Sequence, residues 1–225
     1  MKLNIKEKEN ELFKRWKEKY KDLNKFVADG IVDENEYKDP KIIFIFKEVN
    51  DPKKGGWDLR EYLKDGGRSQ TWNNVSRWIH GIRAKKGSVL KWTKYYSDID
   101  NDFRKTELSR IGVINLKKSP GTYVANDISL VQAATQDKML IQEQYELYDP
   151  DWTICGGTGD LFKKIMELQD KCWRITNRGI RWFERAEKKF VISYVHPEAR
   201  VHKPLIIYGL LDAIEEIEII NENKK

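Results

Sequence analysis

The chain has 225 residues, 40% of them hydrophobic and 35% charged, with a formal net charge of +6. That length supports one large α/β domain or two small ones, and no run approaches the ~20 consecutive apolar residues that span a bilayer. The N-terminal MKLNIKEKENEL is too polar for a secretory signal, and Cys155 and Cys172 have no metal-ligand spacing, so a cytoplasmic protein without metal or cofactor is expected.

In chain order, Leu12, Phe13, Trp16, Tyr20, Leu23 and Phe26–Val27 recur at helical spacing. They predict an amphipathic helix over 3–29 that ends at Gly30. Ile42–Phe46 is an unbroken apolar run, which reads as a strand buried on both faces, over 42–48. It stops at the polar turn Lys47-Glu48-Val49-Asn50-Asp51-Pro52. A Trp-rich excursion follows over 53–110. Within it Ser69-Gln70-Thr71 offers caps for a helix carrying Trp72, Val75, Trp78, Ile79 and Ile82. The stretch 83–102 has no clean period.

Ile111–Leu116 reads as a second buried strand, and Asn126 or Asp127 caps a long helix to about Tyr148. Trp152–Cys155 is a third strand, and Gly156-Gly157-Thr158-Gly159 leads into a helix over 160–169. Those glycines suit a phosphate cradle, but a tight strand-to-helix turn calls for glycine on its own account. Phe190–Val195 is a fourth strand, Lys203–Ile217 a closing helix, and the tail from Asn221 is expected to be loose. Strand and helix alternate, so the expected fold is α/β: one domain, a three-layer α/β/α sandwich around a four-stranded, mostly parallel sheet.

Ligands of open α/β sheets sit outside the carboxyl ends of the strands. Three strand ends deliver Glu48, Asn115 and His196 to that edge. Singly, a solvated Glu, a turn-capping Asn and a strand-terminating His explain them. Jointly, an acid, an amide and an imidazole suit recognition of a flat heterocycle with bond cleavage beside it. Lys53, Lys54, Lys117, Lys118, Arg200, His202 and Lys203 follow strands and would form a basic rim for a phosphate backbone.

The order of these motifs, over residues 40–212, resembles the uracil-DNA glycosylase superfamily. Lys47-Glu48-Val49-Asn50-Asp51 corresponds to the turn after the family's first strand. Asn115-Leu116-Lys117-Lys118-Ser119-Pro120-Gly121 is similar to its Asn-ended strand with a Lys- and Pro-containing loop. Asp149–Gly157 and His196-Pro197-Glu198-Ala199-Arg200 match later elements, and Thr71-Trp72-Asn73-Asn74-Val75 resembles a helix-opening segment. The resemblance implies base flipping out of DNA and hydrolysis of the N-glycosidic bond, and a monomer is expected. It implies that Glu48 stabilises the cationic sugar and orients water, Asn115 reads the base edge, and His196 bonds the carbonyl that gains charge. Ser69, Lys117 and Ser119 would grip phosphates, with Lys118 and Lys203 on the same rim, and Arg200 or Val201 would wedge into the stack.

This chain departs from the family pattern in three places. The glycine of the first motif is missing, so the family's usual Asp falls on Glu48 or Val49, with Asp51 a second choice of acid. Glu198 replaces a phosphate-touching serine. Where strict uracil enzymes carry a bulky tyrosine, this chain has Asn50 or Asp51. A small polar opening there, lined by Trp57 and Trp72 of the excursion, would admit a 5-substituted pyrimidine such as a hydroxymethylated or glucosylated cytosine. Related enzymes of that kind act in antiviral defence. Rival readings are a non-catalytic DNA-binding relative and a nucleoside or nucleotide hydrolase.

Overall fold

The structure is a computed structural model and describes residues 4–20, 25–51, 55–84, 91–92, 99–122 and 126–223. Its centre is the strand Ile42–Phe46 (β2), every residue of which is buried. β-Branched and aromatic side chains favour the pleat, and alternate residues serve opposite faces. Ile42, Phe44 and Phe46 enter one core. Ile43 and Ile45 enter the other.

β2 lies between Ile111–Asn115 (β3) and Trp152–Gly156 (β4), parallel to both, and β4 pairs in parallel with Lys189–Tyr194 (β7). Three further strands pair antiparallel: Gly30–Ile31 (β1) on β3, Arg181–Ala186 (β6) on β7, and Arg174–Ile175 (β5) on β6. The sheet therefore has seven strands, ordered β1-β3-β2-β4-β7-β6-β5. This corrects the expected four-stranded sheet. The four strands legible in the sequence are its parallel centre.

Among the described residues eight helices flank the sheet. Leu59–Lys64 (α2), Ser69–Arg83 (α3), Asn101–Leu108 (α4) and Lys203–Glu222 (α8) contribute to the first core, through residues such as Leu63, Trp78, Leu108 and Leu210. Ile5–Glu18 (α1), Asp127–Gln136 (α5), Lys138–Tyr148 (α6) and Gly159–Ile165 (α7) build the second, with Trp16, Ala134, Tyr145 and Phe162. Helices thus cover both faces. The Trp-rich excursion is part of the first core rather than an appendage to it, although 52–54, 85–90 and 93–98 lie outside the described residues. Among the described residues no helix is long and apolar enough to cross a membrane.

Several elements differ from the sequence expectation, each for a local reason. α1 stops at Glu18, and Phe26–Val32 runs extended along the sheet instead of continuing the helix. Val27 N–H donates to Lys118 O, and Val32 N–H donates to Ile111 O. The helix expected over 126–148 breaks at Asp137, whose carboxylate accepts from Lys19 Nζ (3.1 Å). Asn126 does cap α5, accepting from Ser129 N–H (3.0 Å). α8 continues to Glu222, so the tail from Asn221 begins as helix.

Gly30 is the sharpest constraint on the edge strand. Its φ is +134°, and a Cβ there would lie 2.3 Å from Glu9 Oε1 and 2.4 Å from the Tyr148 hydroxyl. Gly30→Ala is expected to destabilise the fold by about 1–3 kcal/mol through backbone strain and displacement of those groups. Urea unfolding measures it, and a midpoint equal to wild type would contradict this reading.

Candidate functional site

The register of the four parallel strands decides where their ends fall. Phe46 is paired with Asn115, and Gly156 with Tyr194, so the carboxyl ends of β2, β3, β4 and β7 finish side by side. Beyond β2 and β3 the pairing continues through Leu116 N–H to Phe46 O (3.0 Å) and Lys117 N–H to Lys47 O (3.0 Å). The chain passes from β2 outward to β3, then back across β2 to β4. That reversal is a topological switch point, where α/β sheets open a crevice.

A hollow of about 700 Å³ occupies this crevice. Such a volume falls in the range of small-molecule sites. Glu48, Asn115 and His196 all line it, as do Asn50, Asp51, Trp57, Trp72 and Arg200. Phe46 forms part of the wall, with ring centroids 5.5 Å from His196 and 6.1 Å from Trp72, both edge to face. Gly156 leaves room for that ring, since a Cβ there would lie 2.5 Å from Phe46 Cε1.

Each polar group is held from behind. The Glu48 side chain is buried, and its Oε2 accepts from Lys117 Nζ. Its other oxygen abuts Gly121, where a Cβ would be 1.8 Å away. Gly121 also zips the two loops together, N–H to Val49 O (2.8 Å) and O from Asp51 N–H (3.2 Å). Asp51 accepts from Trp57 Nε1 (2.9 Å). Val49 lines the hollow beside Glu48 but brings no acid.

His196 Nδ1 accepts from the Glu198 backbone N–H (3.2 Å). A neutral ring with Nδ1 accepting carries its proton on Nε2, which is then a donor. Desolvation by the walls of the hollow pulls the imidazole below its usual range. Glu198 opposes that shift, and Lys47 and Arg68 add to it. The loop is pinned by Asn74 Nδ2, which donates to Pro197 O (2.8 Å), while Arg77 donates to Asn74 Oδ1 (2.8 Å). Glu198 accepts from Arg68 (2.5 Å) and Thr71, tying the start of α3 to this loop. Its charge is thereby balanced.

Two of the phosphate contacts expected from sequence are corrected. Lys118 is fully buried: it pairs with Asp29 (2.6 Å), donates to Gln144 Oε1 (2.8 Å) and lies 4.6 Å from the Trp16 ring. Burial pulls its ammonium below the usual lysine range against the pull of Asp29. It cannot reach a phosphate. Lys117 is committed to Glu48 and only slightly exposed. Ser69 is exposed at the first position of α3, Ser119 is half-buried in the β3 loop, and neither lines the hollow. Arg200, Val201 and Lys203 are exposed after β7, Arg200 in the wall itself. Lys53 and Lys54 lie outside the described residues. The turn after β4 offers no cradle, because α7 is a short helix and Thr158 Oγ1 donates to Ile45 O (2.7 Å).

Sequence reasoning missed Phe46, because the last apolar residue of a buried strand looks like core. It also missed Tyr62, Arg68 and Thr71, which line the hollow from α2 and the start of α3. Asp29 was missed too, although a lone acid inside Phe26-Val27-Ala28-Asp29-Gly30-Ile31-Val32 was a readable signal. Among the described residues no cluster of three or more His, Cys, Asp or Glu side chains is placed to hold a metal ion.

Compared with known proteins, the chain matches no protein-family model and no curated protein sequence.

The lowered pKa of His196 has a measurable consequence. Because folding favours the neutral ring, its contribution to stability is present above the ordinary imidazole pKa and is lost as pH falls through the lower folded value. An NMR titration of the His196 ring is expected to show a midpoint below the usual imidazole range. A midpoint above it would contradict a neutral donor.

Proposed function

We propose that the protein is a DNA glycosylase that takes an extruded pyrimidine into this hollow and hydrolyses its N-glycosidic bond. The observation that carries the reading is that Glu48, Asn115 and His196, distant in sequence, line one cavity walled by an aromatic ring. The central strands β3-β2-β4-β7 are read as the parallel sheet of the uracil-DNA glycosylase superfamily, with β1, β5 and β6 as additions. DNA is the partner.

The base would stack on Phe46 and present its edge to Asn115, with His196 Nε2–H donating to the carbonyl on which negative charge collects. A positioned donor in a desolvated site acts where charge develops and needs no reorganisation. Glu48 would face the sugar as it becomes oxocarbenium-like. Lys117, paired with Glu48, holds the carboxylate in place. Asp51, held by Trp57, is the second candidate for the acid.

The hollow is larger than an unsubstituted pyrimidine requires. Asn50, Asp51, Trp57 and Tyr62 line it. No bulky side chain occupies the Asn50–Asp51 position, which supports a 5-substituted pyrimidine, a hydroxymethylated or glucosylated cytosine, as substrate. A defence role against phage with such DNA follows from that substrate. Arg200 supplies a cation in the wall of the hollow, and the exposed Val201 and Lys203 that follow it would offer an apolar tip for the stack and a further cation.

The test is incubation with duplexes carrying a panel of modified and plain pyrimidines, followed by hot alkali and mass spectrometry of released base. Release of a 5-substituted pyrimidine is expected, and Glu48→Gln is expected to slow it by about 10²–10³-fold. Slowing by Asp51→Asn but not by Glu48→Gln would move the acid. Absence of alkali-sensitive sites would sink the glycosylase reading, and equal excision of plain uracil with modified cytosine untouched would sink the substrate.

A further inference from the structure

Behind Asn115 lies a buried carboxylate to which the reaction assigns no task. Asp29 has no exposed surface, yet its side chain accepts four hydrogen bonds. Oδ1 accepts from Lys118 Nζ (2.6 Å) and Gln144 Nε2 (2.9 Å). Oδ2 accepts from the backbone N–H of Asn115 (2.8 Å) and from the Asn115 side-chain Nδ2 (3.2 Å). Gln144 in turn donates to Tyr148, and Tyr148 to Glu9, which is paired with Arg60. A lysine and a glutamine, both buried and both committed, hold Asp29 in place.

This arrangement fixes one degree of freedom that matters for reading a base. An asparagine amide has an accepting oxygen and a donating nitrogen, and rotation by half a turn exchanges them. Oδ2 of Asp29 is already anchored by the Asn115 backbone. A rotated amide would bring its oxygen against a carboxylate oxygen in a dry site and lose a hydrogen bond. Only one orientation is therefore available, with Nδ2 toward Asp29 and Oδ1 left to accept.

Pyrimidines differ in this respect. Cytosine offers a donor at position 4 and an acceptor at N3, whereas uracil offers an acceptor at position 4 and a donor at N3. With Oδ1 presented to position 4, a locked amide accepts from a 4-amino group and opposes a 4-oxo oxygen. A freely rotating amide matches both.

We infer that Asp29 is a positioning residue that sets the choice between 4-amino and 4-oxo pyrimidines, by locking the direction of the Asn115 amide. This rests on the glycosylase reading, and it adds a determinant from the edge of the sheet, outside the wall of the hollow. Lys118, mistaken in sequence for a phosphate contact, is the counter-charge that keeps the lock in place.

The test uses two duplexes that carry the same 5-substituent on a cytosine and on a uracil, and compares kcat/KM for each. In Asp29→Asn the new amide can donate to Oδ1 as readily as it accepts from Nδ2. The ratio between the two substrates is expected to fall by about tenfold or more, the worth of one discriminating hydrogen bond. A purely structural defect lowers both rates together and leaves the ratio alone. Should Asp29→Asn fail to fold with Lys118 unpaired, Asp29→Asn/Lys118→Met removes the stranded charge and gives the same comparison.

A second arm needs no turnover. The side-chain NH₂ signals of Asn115, identified by their loss in Asn115→Asp, are expected to exchange slowly with solvent in the wild type and faster in the double variant. An unchanged substrate ratio in a folded variant overturns the proposal, and so does a wild-type amide that exchanges at solvent rates. If the wild type releases no base of either series while the amide is protected, the glycosylase reading and base selection fall together, and the lock itself stands.

Discussion

The site depends on the register of four parallel strands. Because Phe46 is level with Asn115 and Gly156 with Tyr194, the residues just past each strand emerge at one height. A slip of one residue in any pairing would reverse which face each side chain serves. It would send Asn115 into a core or away from the hollow. The register is enforced by five-residue strands that are wholly buried in β2, β3 and β4, alternating between two separate cores.

Two ion pairs at this edge have opposite characters. Lys118 and Asp29 are sealed, with no side-chain exposure on either partner. A buried pair of this kind contributes little net stability against an apolar replacement, yet breaking it by removing one partner costs about 3–5 kcal/mol. Its value lies in direction: it holds an acceptor where only the nitrogen of Asn115 can face it. Lys117 and Glu48 stand at the edge of the hollow, with the lysine partly open to solvent. That pair keeps the Glu48 carboxylate shielded from bulk water at the rim of the hollow.

Much of the fold was legible because its central strands are uninterrupted apolar runs closed by polar turns, as in Ile42–Phe46 and Ile111–Ile114. The edge strands were not. β1 and β5 are two residues long, and β6 places Trp182 and Phe183 side by side, one in each core, among arginines and a glutamate. Phe26–Val27 follows the spacing of α1 closely enough to read as helix, yet tertiary pairing with the Lys118 loop draws it into extended chain. In the site, residues carried on strand ends were readable because topology alone brings them together. Which lysine stands at the site was not readable: Lys117 and Lys118 differ by one position, yet Lys117 pairs with Glu48 at the hollow and Lys118 with the fully buried Asp29.

The most direct measurement is a crystal structure of the Glu48→Gln protein bound to a duplex that carries one 5-substituted cytosine. The account predicts that base extruded into the hollow, its face on Phe46, its edge on Asn115 Oδ1 and its carbonyl within hydrogen-bond reach of His196 Nε2. A base still stacked in the duplex, or DNA seated on another face with the hollow empty, would contradict it.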